Sequence, residues 1–122
     1  MKETIIALGT NFQEDASIER IKSLLQETFP NIQFTKSVRT RNVGESIYGK
    51  YFTNALAKFH SDMVFETLDT TLKQIEKECG DKRELRTRGI VKADIDILTH
   101  NGCKHHLADW ERKYIKQLIN EL

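Results

Sequence analysis

The order in which two hydrophobic periods follow one another constrains the fold of this chain more than any other feature. Ile5 to Leu8 is a short apolar run closed by Gly9, which reads as a buried strand. From Ser17, placed as an N-cap, Ile18, Ile21, Leu24, Leu25 and Phe29 recur at helical spacing until Pro30 and Asn31 stop the helix. Ile32 to Arg39 returns to period two, with Ile32, Phe34 and Val38 on one parity and Lys36 interrupting it. Phe52 to Phe59 is a third strand: Thr53, Ala55, Ala57 and Phe59 share one face, and Phe52, Asn54 and Leu56 share the other. Ser61 or Asp62 caps a second helix whose stripe runs Val64, Phe65, Leu68, Leu72, Ile75 and Cys79, with Gly80 as its left-handed end. Ala93 to Leu98 is a fourth strand. Asp109 then caps a last helix with Trp110, Tyr114, Ile115, Leu118, Ile119 and Leu122 on its apolar side. Between these elements, Thr40 to Lys50 and Asp81 to Lys92 read as loops, the latter holding Lys82, Arg83, Arg86, Arg88 and Lys92.

A βαββαβ order is the split βαβ, or ferredoxin-like, arrangement. It is an α+β fold in which an antiparallel sheet carries its helices on one face, here with an added C-terminal helix. The opposite face is then left open, and Phe52, Asn54, Asp94 and Asp96 project from it. No repeat, linker or low-complexity stretch divides residues 1–122 into more than one domain, and the length suits one.

Asp94 and Asp96 stand out within that face. In Ala93-Asp94-Ile95-Asp96-Ile97-Leu98 the apolar residues alternate with acids, so both carboxylates lie on one side, one pleat repeat apart. Like charges at that spacing repel, and folding does not ask for them. Two readings stay open at this point. One is a solvated strand face. The other is a hard divalent cation such as Mg²⁺, which takes carboxylate oxygens together with substrate phosphates.

Charge and motif content exclude several classes. The net charge of +1 gives no general case for nucleic acid or an anionic membrane. No apolar run approaches a membrane span, and Met1 to Leu8 lacks the apolar core of a signal peptide. Cys79 and Cys103 form no CxxC, which suits a reduced, cytoplasmic setting. No GxxxxGK phosphate loop occurs. His100, Cys103, His105 and His106 crowd one turn, but their spacing fits no established zinc pattern, so a solvated turn is the preferred reading.

Several short motifs occur together in a recognisable order. They are Gly9-Thr10-Asn11, Val38-Arg39-Thr40 before a loop, Phe52-x-Asn54-Ala55, Ile75-Glu76 followed by Gly80, Asp94-x-Asp96-Ile97-Leu98, and His106 with Arg112 and Tyr114 beyond it. This set, which spans nearly the whole chain, resembles the 6-hydroxymethyl-7,8-dihydropterin pyrophosphokinase family of folate biosynthesis. The resemblance implies a single pyrophosphokinase-like domain that moves the terminal diphosphate of ATP onto the pterin hydroxymethyl group and releases AMP. It implies two Mg²⁺ ions held by Asp94 and Asp96, ATP as co-substrate, and Arg83 with the catalytic pair. It matches Phe52 and Tyr114 to the rings that stack the pterin, Asn54 to the amide that reads its edge, and Thr40 and Val43 to loop positions that do the same. Glu76, His106 and Arg112 match positions at the ATP site. The implied partners are these two small molecules, with no nucleic acid or membrane, in a cytoplasmic monomer or weak homo-oligomer.

The chain departs from the family pattern at identifiable places. Ile90 and Val91 stand where proline and arginine are usual, and Asp81 where a basic residue follows the helix glycine. Arg41 and Asn42 replace paired prolines, the Leu98 to His106 segment is short, and the chain ends near where a further segment is usual. A homologue that binds a pterin-like or nucleotide ligand without turnover is therefore the alternative reading. RNA binding ranks third: the open strands carry no adjacent aromatic pair, and two carboxylates there repel phosphate.

Overall fold

The computed structural model describes residues 1–41 and 48–122. Val43 and Asn42, singled out above, lie outside the described residues. The elements are β1 (Lys2–Thr10), α1 (Glu14–Thr28), β2 (Gln33–Phe34), β3 (Val38–Arg41), β4 (Tyr51–Ser61), α2 (Phe65–Glu78), α3 (Arg83–Arg86), β5 (Asp94–His100), β6 (Cys103–Lys104) and α4 (Lys113–Leu118). Two 3-10 turns, Leu107–Glu111 and Ile119–Glu121, flank α4. The sheet order is β2-β4-β1-β5-β6, with β3 also on β4 and every pairing antiparallel. This is the expected ferredoxin-like α+β fold.

The two faces of the sheet have different cores. Ile6 and Leu8 of β1, Ala55, Ala57 and Phe59 of β4, and Ile95 and Ile97 of β5 point at one layer. That layer is Ile18, Ile21 and Leu25 of α1 with Leu68, Leu72 and Ile75 of α2. On the second face, Ala7, Leu56 and Leu98 are covered by Ile115 and Leu118 of α4. The expectation of an open second face is thus corrected. Its apolar half cannot stay wet, since each buried aliphatic side chain contributes roughly 1.5–3 kcal/mol, and the C-terminal segment closes it. Beyond that apolar cover lie Phe52, Asp94 and Asp96, each partly exposed, and the buried Asn54.

The strand expected over Ile32 to Arg39 is two strands. β2 pairs Phe34 with Ala57 and β3 pairs Val38 with Asn54, so the register slips by one residue between them. Thr35 makes the slip: its N–H donates to the Leu56 carbonyl at 2.9 Å and its hydroxyl accepts the Leu56 N–H at 2.9 Å. This bulge sends Phe34 to the helix side and Val38 to the second face, not both to one. Lys36 escapes to solvent, and its N–H donates to Glu121 at 2.9 Å.

Other element ends also differ. α1 starts after Gln13, whose φ is 41°, so Ser17 lies inside the helix and its hydroxyl donates to the Phe12 carbonyl. Neither Ser61 nor Asp62 caps α2; Ser61 ends β4 and Val64 precedes the helix. Gly80 is left-handed as expected, at φ 88°, and its N–H donates to Lys77 O at 2.9 Å. The basic loop contains the helical turn α3. The last helix is not continuous from Asp109, because Arg112 is extended at φ −70° and ψ 136°. Among the described residues, no helix is long and apolar enough to cross a membrane.

Candidate functional site

A cavity of about 710 Å³ occupies the polar half of the second face, where β1, β4 and β5 run out towards Thr10, Tyr51 and Asp94. Gly9 of β1 forms part of its floor. A Cβ there would stand 3.2 Å from Asn54 Oδ1 and 3.8 Å from the Phe52 ring, so a bare backbone gives both side chains room. Asn54 is buried, and its Nδ2 donates to Thr40 Oγ1 at 2.8 Å. The bulge at Thr35 is what brings Thr40 to this face, opposite Phe52 in the β3–β4 register. Tyr114 and Arg112 enter from the C-terminal segment, and burial pushes the Tyr114 hydroxyl up.

Asp94 and Asp96 line the same cavity. The Asp96 carboxyl is pushed up to about 6, first by burial and then by the neighbouring Asp94 charge, while His106 and Lys73 pull it down. His106 Nε2 lies 3.9 Å from Asp96, and its Nδ1 lies 3.9 Å from Asp109. Asp109 in turn holds Arg112 Nε at 3.2 Å, so it is a charge partner and not a helix cap. Ligand atoms of Asp96, His106 and Asp109 all fall within 4.8 Å of one another. Two carboxylates on one strand face, whose ionised forms burial and mutual repulsion disfavour, are suited to a hard divalent cation.

Two expected site residues sit elsewhere. Arg83 and Glu76 line a neighbouring hollow of about 480 Å³, not the main cavity. Glu76 is buried between α2 and β5, accepts the Ile95 N–H at 2.7 Å and meets Lys73 at 3.4 Å; burial raises its pKa. Its position fixes the strand that carries the two aspartates. Arg86 was not singled out by sequence, yet its Nη2 lies 3.5 Å from Asp94. Asn11 was read only as part of a motif. Its side chain is buried, donates to Gly89 O and accepts the Val91 N–H, both at 2.8 Å, and so ties the basic segment to the end of β1.

The four residues of the crowded turn go separate ways. His100 is buried at the end of β5 against Thr4 Oγ1 at 2.9 Å, which corrects its placement in a solvated turn. His105 stacks on Phe65 at 4.5 Å, while Cys103 and His106 are exposed.

A family model described as 7,8-dihydro-6-hydroxymethylpterin-pyrophosphokinase matches residues 5–122. No curated protein matches the chain. Among solved structures, a hydantoinase/carbamoylase family amidase from Burkholderia ambifaria is 12% identical at a TM-score of 0.44, over 83% of this chain and 28% of that one. A de novo designed protein with ferredoxin fold is 19% identical at a TM-score of 0.34, over 88% of this chain and 93% of that one. The chain thus spans under a third of the amidase.

Proposed function

The chain belongs to the 7,8-dihydro-6-hydroxymethylpterin-pyrophosphokinase family, whose activity is ATP-dependent diphosphate transfer in folate biosynthesis, and from that premise we propose that its acceptor is 6-hydroxymethyl-7,8-dihydropterin. The observation that carries this reading is one cavity with an aromatic and an amide at one part of its wall and two carboxylates at another. A flat heterocycle with donors and acceptors on its rim suits Phe52, Tyr114 and the Asn54 amide, with Thr40 holding that amide in place. Val43, given the same role by the resemblance alone, lies outside the described residues.

Asp94 and Asp96 are the proposed ligands of two Mg²⁺ ions, which when bound neutralise phosphate charge and polarise the acceptor hydroxyl. The pterin hydroxyl oxygen forms a bond to the β-phosphorus of ATP. The bond from that phosphorus to the α,β-bridging oxygen breaks, AMP leaves with that oxygen, and the hydroxyl proton is released to solvent. This chain's part is orientation and charge: the two carboxylates on β5, His106 beside Asp96, Arg112 on the cavity wall, and Arg83 and Glu76 at the neighbouring hollow.

The test is incubation with ATP, Mg²⁺ and the hydroxymethyl dihydropterin. AMP and pterin diphosphate are expected in equal amounts, and Asp96→Ala is expected to abolish both while keeping the fold. A second reading, a binder without turnover, is favoured by Val91 and by Asp81, whose carboxylate is already committed to Arg86 at 2.7 Å. Calorimetric binding of pterin and ATP by folded protein that makes no AMP would establish that second reading instead.

A further inference from the structure

The smaller hollow adjoins the entry to β5, and cations dominate its wall: Lys73, Lys77, Lys82, Arg83 and Arg86. Its two acids are engaged by the fold. Glu76 accepts the Ile95 N–H at 2.7 Å, while Asp81 accepts the Lys92 N–H at 3.1 Å and Arg86 Nε at 2.7 Å. Arg86 links this hollow to the main cavity. Its Nη2 donates to the Ala93 carbonyl at 2.9 Å and lies 3.5 Å from Asp94, which lines the main cavity. Nη1 has no hydrogen-bond partner among the described residues.

Asp81 and the Ala93 carbonyl therefore fix the guanidinium at two points, and one arm of its fork is left over. An arginine so held loses little further freedom when it binds an anion. A planar fork with spare N–H donors matches two oxygens of a phosphate, and a metal-binding carboxylate 3.5 Å away places that phosphate beside the reacting centre. We propose that Arg86 is a polyphosphate-binding residue of this site: its fork takes oxygens of the β,γ-diphosphate, and Asp81 is the positioning residue that aims it. The assignment rests on the reading above that the site takes a nucleoside triphosphate. In the ligand-free protein Arg86 covers the Asp94 charge; when Mg²⁺-ATP arrives, the phosphate replaces Asp94 as its partner.

Calorimetric titration with Mg²⁺-ATP and, separately, with AMP tests this without the pterin. Arg86→Gln is expected to weaken ATP binding at least about 10-fold and to leave AMP binding within about 2-fold, because AMP lacks the two phosphates concerned. Arg86→Lys, which keeps the charge without the fork, is expected to fall between. A purely structural role for Arg86 would lower ATP and AMP affinity by the same factor, and that result overturns the assignment. ATP binding unchanged in Arg86→Gln, or absent from the wild type, also overturns it. Wild-type protein that binds ATP in an Arg86-dependent way but yields no AMP would leave Arg86 assigned and reject only the transfer reaction.

Discussion

At Asp96, burial and the Asp94 charge act in the same direction and raise the carboxyl from about 3.8 to about 6. A carboxyl whose folded pKa is raised makes its ionised form a cost to the fold. That cost is absent below about pH 4, grows between pH 4 and 6, and is complete above 6. Asp96→Asn is therefore expected to stabilise the metal-free protein at pH 7 by about 2 kcal/mol, a gain that fades as the pH falls towards 4. Thermal unfolding of both proteins across that range measures it, and an Asn variant less stable than wild type at pH 7 would contradict it. The same substitution removes a proposed Mg²⁺ ligand, so added Mg²⁺ should raise the melting temperature of the wild type more than that of the variant. The face shared by the two aspartates was legible in the sequence because strand parity alone decides it. Arg86 was not. Its partners are Asp81, Ala93 and Asp94, and nothing in the local pattern separates it from the four other basic residues of its segment.

The bulge at Thr35 shows how one element decides the composition of the site. Read at uninterrupted period two, Thr40 falls on the parity of Phe34 and faces the helices. The one-residue slip reverses this and delivers Thr40 to Asn54. The only trace in the sequence was Lys36 on an apolar parity, which shows that a strand is disturbed but not that its face has changed. Thr35→Val keeps the shape and removes the acceptor for the buried Leu56 N–H, so a loss of about 1–3 kcal/mol is expected by denaturant titration. If β3 slips back into register, Thr40 leaves the cavity and pterin affinity falls with stability. An unchanged midpoint would mean that the Thr35 hydroxyl is not what holds the slip. The broken C-terminal helix was hidden for a related reason: its apolar spacing continues through Arg112, where the backbone does not.

On the scale of the whole molecule, the sheet order followed from the succession of periods, but the burial of its second face did not. Leu56 shares a face with Phe52 and Asn54, and the need to cover it with Ala7 and Leu98 is what draws α4 across the sheet. The C-terminal segment thus has two roles: it completes a core and carries Arg112 and Tyr114 to the cavity edge. Stability and pterin binding should be coupled through it but not through the core on the helix side. Leu118→Ala, at a fully buried position of α4, is expected to cost about 2–5 kcal/mol and to weaken pterin binding as Tyr114 loses its support. Leu25→Ala, equally buried on the helix side, should cost a similar amount of stability yet bind pterin as the wild type does. Both are measured by urea unfolding and by pterin titration well below the midpoint. Equal losses of pterin affinity in the two variants would show that the site responds to general loosening of the fold and not to the segment that closes its second face.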